Sequence, residues 1–255
     1  MQPHSDIRIR LLGDLEVRRV DGTFVGHDEW RTGKSMDLLR ILALSNQRPA
    51  QVTSVVHKLW PGVSMDRARA SVRTAASHIR RAVGSNCVVR QNGSLVLSGA
   101  RVDAIEFLEG ARDAERTARA GDHRRTLEIA ELTDRLYVGD FHAHNDDSAW
   151  AVAERNHLRQ ARLQLLCRAA EAALAVGDYA AALDFAEKAV EIERTSESAH
   201  RAMMRAYAGL GETASALRAF EACRSHLAEE LGADPSVQTQ SLHLRLLRGE
   251  LSGRE

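Results

Sequence analysis

Cysteine is scarce and scattered. Cys87, Cys167 and Cys223 stand far apart with no CxxC pair among them, so a disulfide framework is excluded and reduced thiols in a cytosol are expected. No stretch of 18 residues is free of charge, which removes a membrane-spanning helix and makes a cytoplasmic location the expectation. The opening Met1-Gln2-Pro3-His4-Ser5-Asp6 lacks a basic start followed by an apolar run, so no secretory leader is expected. Net charge is missing as well, since 35 Lys+Arg balance 35 Asp+Glu over 255 residues.

That zero is a cancellation. Residues 1–103 carry 16 Lys+Arg against 9 Asp+Glu, or +7, and residues 104–255 carry 19 against 26, or −7. A basic first part joined to an acidic second part suits a chain of which one end meets a polyanion. A chance split of surface charge is the alternative. The length suits two domains, 1–103 and 104–255, each able to bury a core of its own.

Between Ile7 and Val25, β-prone runs alternate with turn residues: Ile7–Leu12, Gly13-Asp14, Leu15–Val20, Asp21-Gly22, Thr23–Val25. The pattern predicts a small antiparallel sheet. Met36, Leu38, Leu39, Ile41, Leu42 and Leu44 then fall on helical spacing, and Ser45–Arg48 with Pro49 ends that helix. Thr53 reads as the cap of a short helix through Val55, Val56, Leu59 and Trp60, stopped by Pro61-Gly62. A third helix runs over 66–83, with an apolar stripe of Ala68, Val72, Ala75, Ala76, Ile79 and Val83, and Gly84 ends it. Val88–Val89 and Leu95–Leu97 flank Asn92-Gly93, the dipeptide that supplies the positive φ angles of a tight hairpin. The fold class predicted for residues 1–103 is therefore α+β: a sheet, three helices and a hairpin over 88–97.

Residues 104–255 read as all-α. Gly177 recurs as Gly211, Ala182-Leu183 as Ala216-Leu217, Glu187 as Glu221 and Ala172 as Ala206, a spacing of 34. That period belongs to tetratricopeptide helix pairs, in which small residues let partners approach closely. Gly121-Asp122 begins a looser copy, echoing Gly177-Asp178, and Tyr137–Ser148 reads as a loop between copies.

On a wheel of 100° per residue with Val72 at zero, Arg67, Thr74, Ser77, His78 and Arg81 lie within roughly 60° of the opposite pole. Arg73 and Arg80 flank this face, and Arg69 makes a fifth arginine against one acid, Asp66. A guanidinium can pair both acceptors of guanine or clamp a phosphate, and Thr74 and Ser77 are short enough for closest approach. Arg67, Thr74, Ser77, His78 and Arg81 are thus candidates for base or groove-wall contacts. Lys34, Arg73, Arg80 and Arg90 suit phosphates, with Asn92 beside them at the hairpin tip. A merely solvated arginine-rich helix is the alternative; the order helix, turn, arginine-faced helix, hairpin favours nucleic acid.

These residues resemble the SARP (antibiotic regulatory protein) group of actinobacterial activators. The likeness runs through Leu11-Leu12-Gly13-Asp14-Leu15-Glu16-Val17, Leu59-Trp60-Pro61-Gly62, Ser71-Val72-Arg73-Thr74 and Ser77-His78-Ile79-Arg80-Arg81-Ala82-Val83-Gly84. Leu136-Tyr137-Val138-Gly139-Asp140-Phe141 and Leu227-Ala228-Glu229-Glu230-Leu231-Gly232-Ala233-Asp234-Pro235-Ser236 look like that group's activation domain. The resemblance implies an OmpR-like winged helix-turn-helix followed by a tetratricopeptide-like bacterial transcriptional activation domain. It implies binding to direct repeats in double-stranded promoter DNA, with the third helix in the major groove and the wing near the minor groove. It also implies recruitment of RNA polymerase holoenzyme, commonly to switch on a biosynthetic gene cluster, with two copies side by side on DNA or as a homodimer. Two positions depart from the group: His78 stands where arginine is usual, and Ser94 follows Gly93 where a tyrosine is usual. The nucleotide-binding or phosphopeptide-binding additions of larger relatives are not expected.

No enzyme is expected, and no cofactor. Gly33-Lys34-Ser35 resembles the end of a phosphate-binding P-loop, but Asp28 stands five residues before Gly33 where a glycine is required, and its carboxylate would repel the phosphate. His142, His144, Asp146 and Asp147 form an H-x-H-x-D-D run, whose chemistry can hold zinc; a polar loop between helices is the reading preferred. A tetratricopeptide scaffold whose basic front end binds RNA or an acidic protein is the remaining alternative.

Overall fold

The computed structural model describes residues 6–142 and 148–250. The chain divides into two compact units, one of residues 1–108 with 136–158 and one of residues 109–135 with 159–255.

In chain order the first unit carries β1 (Ile7–Arg10), β2 (Glu16–Arg18), α1 (Gly33–Leu44), β3 (Ala50–Gln51), α2 (Val52–Leu59), α3 (Met65–Val83), β4 (Val88–Gln91), β5 (Ser94–Leu97) and β6 (Ala100–Val102). β1 and β2 pair antiparallel as expected, with Ile9 opposite Val17. The third strand is not Thr23–Val25. β6 is the third strand, on the far side of β1 and parallel to it with Ile7 opposite Ala100. Thr23–Val25 runs beside the end of β2 without forming a strand, through the Arg19 amide to the Thr23 carbonyl, the Val25 amide to the Val17 carbonyl and a single antiparallel bridge from Phe24 to Arg18. The Asp103 carboxylate, directly after β6, accepts the amides of Leu11, at 2.7 Å, and Leu12, at 3.0 Å. Burial pushes its carboxyl above the ordinary value against the pull of these amides.

Thr32 caps α1, its hydroxyl accepting the Ser35 amide. Gly33-Lys34-Ser35 is thus simply the first turn of a helix that buries Leu38, Leu39, Ile41 and Leu42. α2 begins before Thr53, because Ala50 and Gln51 are held as β3 against Leu95 and Ser94; Gln51 stands at the cap. The wing is a three-stranded sheet in the order β3-β5-β4. Asn92 and Gly93 both take positive φ, 43° and 78°, as the two central residues of a primed turn require.

Residues 136–142 are not a loose connection. Phe141 is fully buried and bridges to Leu12 and Gly13, its ring edge-on to Trp150 at 6.1 Å. Tyr137 packs edge-on against Phe107 at 5.3 Å. Burying these aromatic rings stabilises this corner by several kcal/mol, at roughly 25 cal/mol per Å².

The second unit is helical: α4 (Asp103–Arg119) from residue 109, α5 (His123–Asp134), α6 (Ala149–Val176) from residue 159, α7 (Tyr179–Ile192), α8 (Glu197–Gly209), α9 (Thr213–Leu231) and α10 (Val237–Leu247). One turn recurs three times. Gly121, Gly177 and Gly211 take φ of 75°, 80° and 81°, and the next amide reaches back five residues, from Asp122 to Thr117, Asp178 to Ala173 and Glu212 to Tyr207. This closure satisfies helix-end carbonyls that would otherwise lack partners. Asp122 and Asp178 then cap the following helices. The looser copy at Gly121-Asp122 is therefore the same turn. Ala172, Ala182, Ala206 and Ala216 are all buried, at the positions that the spacing of 34 marks.

Gly209 shows how tight the helix pairs are: a Cβ there would stand 2.4 Å from the Tyr179 ring. All three cysteines are free, and burial pushes the thiols of Cys87 and Cys223 up to about 11. Gly209→Ala is expected to destabilise the fold by about 1–3 kcal/mol, the usual cost of overpacking. A urea titration checks this; an unchanged midpoint would show that α7 and α8 yield more easily than the geometry implies.

Candidate nucleic-acid interface

Helix α3 has two unlike faces because its apolar residues recur at helical spacing and are small. Ala68, Val72, Ala75, Ala76 and Ile79 are each 4 % exposed or less. This seam packs onto α1 and α2, and its alanines let α3 lie close to them.

The opposite face is open. Arg67, Thr74, Ser77 and Arg81 are exposed, as are Lys34, Arg73, Arg90 and Asn92; His78 and Arg80 are half-buried. Thr74 is oriented by a back-bond from its hydroxyl to the Ala70 carbonyl at 3.2 Å, which leaves its oxygen free to accept. Arg80 also holds the structure together, since its Nε donates to the Val88 carbonyl at 2.8 Å and so ties α3 to the wing. The Nδ1 of His78 is enclosed without a hydrogen-bond partner, so Nε2 is the nitrogen left for a ligand.

Two grooves run along the flanks of this ridge. On the wing side, Arg69, Arg73, Arg80 and Arg90 surround a cavity of about 200 Å³ with Val52, Val72, Ala76 and Leu95. On the other side, Lys34, Thr74 and His78 line a cavity of about 370 Å³ with Thr32, Trp60 and Ser71. Arg67, Ser77, Arg81 and Asn92 line neither. The candidate residues thus fall on an exposed ridge of α3, in two grooves along it and, for Asn92, at the wing turn. Thr74 stands on the edge between the ridge and the second groove, and opposite flanks supply cations from different elements.

Residue-by-residue reading overlooked two arginines that shape this surface, neither of them a candidate DNA contact. Arg69 lies only 60° from Val72 on the wheel and looks nearly core-facing; it lines the groove because the wing stands off from the helix there. Arg19, far away in sequence, donates from Nε to the Ala82 carbonyl at 2.7 Å and pairs with Glu29. A cation at a helix C-terminus satisfies unpaired carbonyls and opposes the helix dipole. No local signal in the sequence marks that contact.

Among the described residues no group of three His, Cys, Asp or Glu side chains is placed to hold a metal. Of the H-x-H-x-D-D run, His144, Asp146 and Asp147 lie outside the described residues, and His142 Nε2 stands 3.2 Å from Asp37 Oδ1.

The model of the bacterial transcriptional activator domain family matches residues 102–247. The chain is 28% identical over 215 residues to the regulatory protein AfsR of Streptomyces griseus, a match covering 84% of this chain and 22% of AfsR. It is 24% identical over 251 residues to the transcriptional regulatory protein MoaR1 of Mycobacterium tuberculosis, covering 95% of this chain and 79% of MoaR1. The chain spans less than a quarter of the length of AfsR. Mycobacterium tuberculosis EmbR, solved in complex with a low-affinity phosphopeptide, superposes with a TM-score of 0.81 at 23% identity, over 95% of this chain and 65% of that one. The fold is a winged helix-turn-helix followed by an all-α tetratricopeptide-like domain.

Removing the Arg19 contacts deletes charge-assisted hydrogen bonds worth about 1.5–3 kcal/mol. Arg19→Ala is expected to lower unfolding free energy in that range and to increase amide exchange in the last turn of α3. Unchanged exchange at Ala82 and Val83 would show that the seam alone positions the helix end.

Proposed function

This chain belongs to the bacterial transcriptional activator domain family and is a transcriptional regulator of the SARP group; from that membership we propose that it is a sequence-specific DNA-binding activator rather than an enzyme. Residues 1–103 read promoter direct repeats through helix 66–83 and the 88–97 wing, and residues 104–255 dock RNA polymerase holoenzyme. Two copies occupy adjacent repeats, in the cytoplasm, and the regulated genes form a biosynthetic cluster. The relatives are named as regulatory proteins, and among the described residues no helix is long and apolar enough to cross a membrane.

One observation carries the reading: the hydrogen-bonding side of α3 is exposed at Arg67, Arg73, Thr74, Ser77 and Arg81, with His78 half-buried among them, while the other side is consumed by packing. The ridge of Arg67, Thr74, Ser77 and Arg81 is narrow enough for a major groove about 12 Å wide. Short Thr74 and Ser77 at its centre allow close approach, with arginines toward both ends. Phosphates then fall to the flanks, where Lys34 stands on one side and Arg73 and Arg90 on the other. Arg80 serves there with its terminal nitrogens, since Nε is engaged. Asn92, at the turn of the wing, reaches toward the adjacent minor groove.

Binding is expected to weaken steeply with salt, as counterion release requires. Arg81→Ala should cost about 1–3 kcal/mol at the repeat and erode sequence preference. Arg90→Ala should weaken all sequences alike and reduce the salt slope by about 1. Fluorescence anisotropy over salt and sequence checks both. A preference for the specific repeat of ~10³-fold or more supports the reading; equal binding to all duplexes, or tighter binding to RNA, contradicts it.

A further inference from the structure

We propose that the groove between α3 and the wing binds a small anion with an apolar body, an aryl or short acyl carboxylate, sulfonate or phosphate, and that this ligand and DNA exclude one another. The site itself stands without the DNA reading. The exclusion rests on it, because Arg73, Arg80 and Arg90 are the residues assigned there to phosphates.

The first argument is electrostatic. Arg69, Arg73, Arg80 and Arg90 converge on one cavity, and among the described residues no carboxylate ion-pairs with any of them. Elsewhere arginines are commonly neutralised, as in Arg10–Glu16, Arg40–Asp37, Arg101–Glu106 and Arg162–Asp134. Four like charges around one space repel each other, and an anion seated among them relieves that repulsion from all sides. Arg80 is held by the bond from its Nε to the Val88 carbonyl, which leaves its two terminal nitrogens to donate to an oxyanion.

The second argument concerns what lies beneath the charges. The floor is Val52, Val72, Ala76 and Leu95, which offers a phosphodiester no hydrogen bond. It suits a hydrocarbon body placed below the oxyanion. Size narrows the class further: about 200 Å³ is below the ~300–1,000 Å³ of drug-sized pockets and suits one or two fused rings or a short acyl chain. Arg69 belongs to this site and to none of the proposed DNA contacts, so it separates the two functions.

Titration of the full chain with 1-naphthalenesulfonate, followed by methyl NMR, tests the proposal. Saturable binding with shifts at the methyls of Val52, Val72 and Leu95 is expected. The neutral 1-naphthalenesulfonamide should bind weaker by a factor of about ten or more, because it lacks the charge the arginines recognise. Arg69→Gln should weaken the sulfonate by a similar factor while leaving DNA affinity within about twofold, and an unchanged NMR spectrum elsewhere confirms that this variant is folded. Repeat-containing DNA should displace the sulfonate. Shifts confined to exposed apolar residues such as Leu132, Leu210 or Val237, equal binding of the neutral compound, or no binding at millimolar concentration would overturn the site and leave the DNA reading untouched. Sulfonate binding that DNA does not displace would overturn the exclusion, and with DNA affinity intact it would place the phosphate contacts elsewhere.

Discussion

The close packing of α3 on α1 and α2 is the constraint from which the rest of the first unit follows. Ala68, Ala75 and Ala76 bring the helix close, and Val72 and Ile79 fill what remains. Small side chains contribute little burial each, so the position of α3 depends on attachments at its C-terminal end. Arg80 ties it to the wing through Val88, and Arg19 ties its last turn to the first sheet. Both are arginines used as structural donors within a basic domain, which separates guanidiniums that build the surface from those left to meet a ligand.

The second unit depends on a different device, the left-handed glycine turn at Gly121, Gly177 and Gly211. Each turn ends one helix, satisfies its carbonyls and presents an acidic residue at the start of the next. Two of those acids cap through the side chain, and Glu212 does not. Gly209 serves another purpose, since it admits the Tyr179 ring where any side chain would collide. Glu197 fastens the far end of the array by accepting from Ser236 and Thr239. Although burial raises its pKa, those hydrogen bonds prevail and hold its carboxyl below the ordinary value.

Helix α3 was legible in the sequence because its signal is local: the apolar stripe, Gly84 at its end and the arginines opposite lie within about twenty residues. The Asn92-Gly93 hairpin and the spacing of 34 were legible for the same reason. What escaped was non-local. β6 joins the sheet beside β1 by pairing across some ninety residues, and the segment read as a loop is irregular over 137–142 but is anchored by the buried Phe141. β3 moves the start of α2 ahead of Thr53 by a pairing with β5 that no local pattern encodes. Among the candidate site residues, exposure followed the wheel, while the grouping into two grooves required the wing and the start of α1 to be in place. Arg69 and Arg19 became meaningful only with that geometry.

The central claim is that the outward ridge of α3 enters the duplex. An iron chelate tethered to Ser77→Cys, in a Cys167→Ser background so that the remaining thiols are the buried Cys87 and Cys223, tests it by cleaving DNA where the helix lies. The account predicts strand scission confined to each bound repeat, with the strand offset that marks a probe in the major groove. Scission that is absent, spread uniformly along the DNA, or offset as from the minor groove would contradict it.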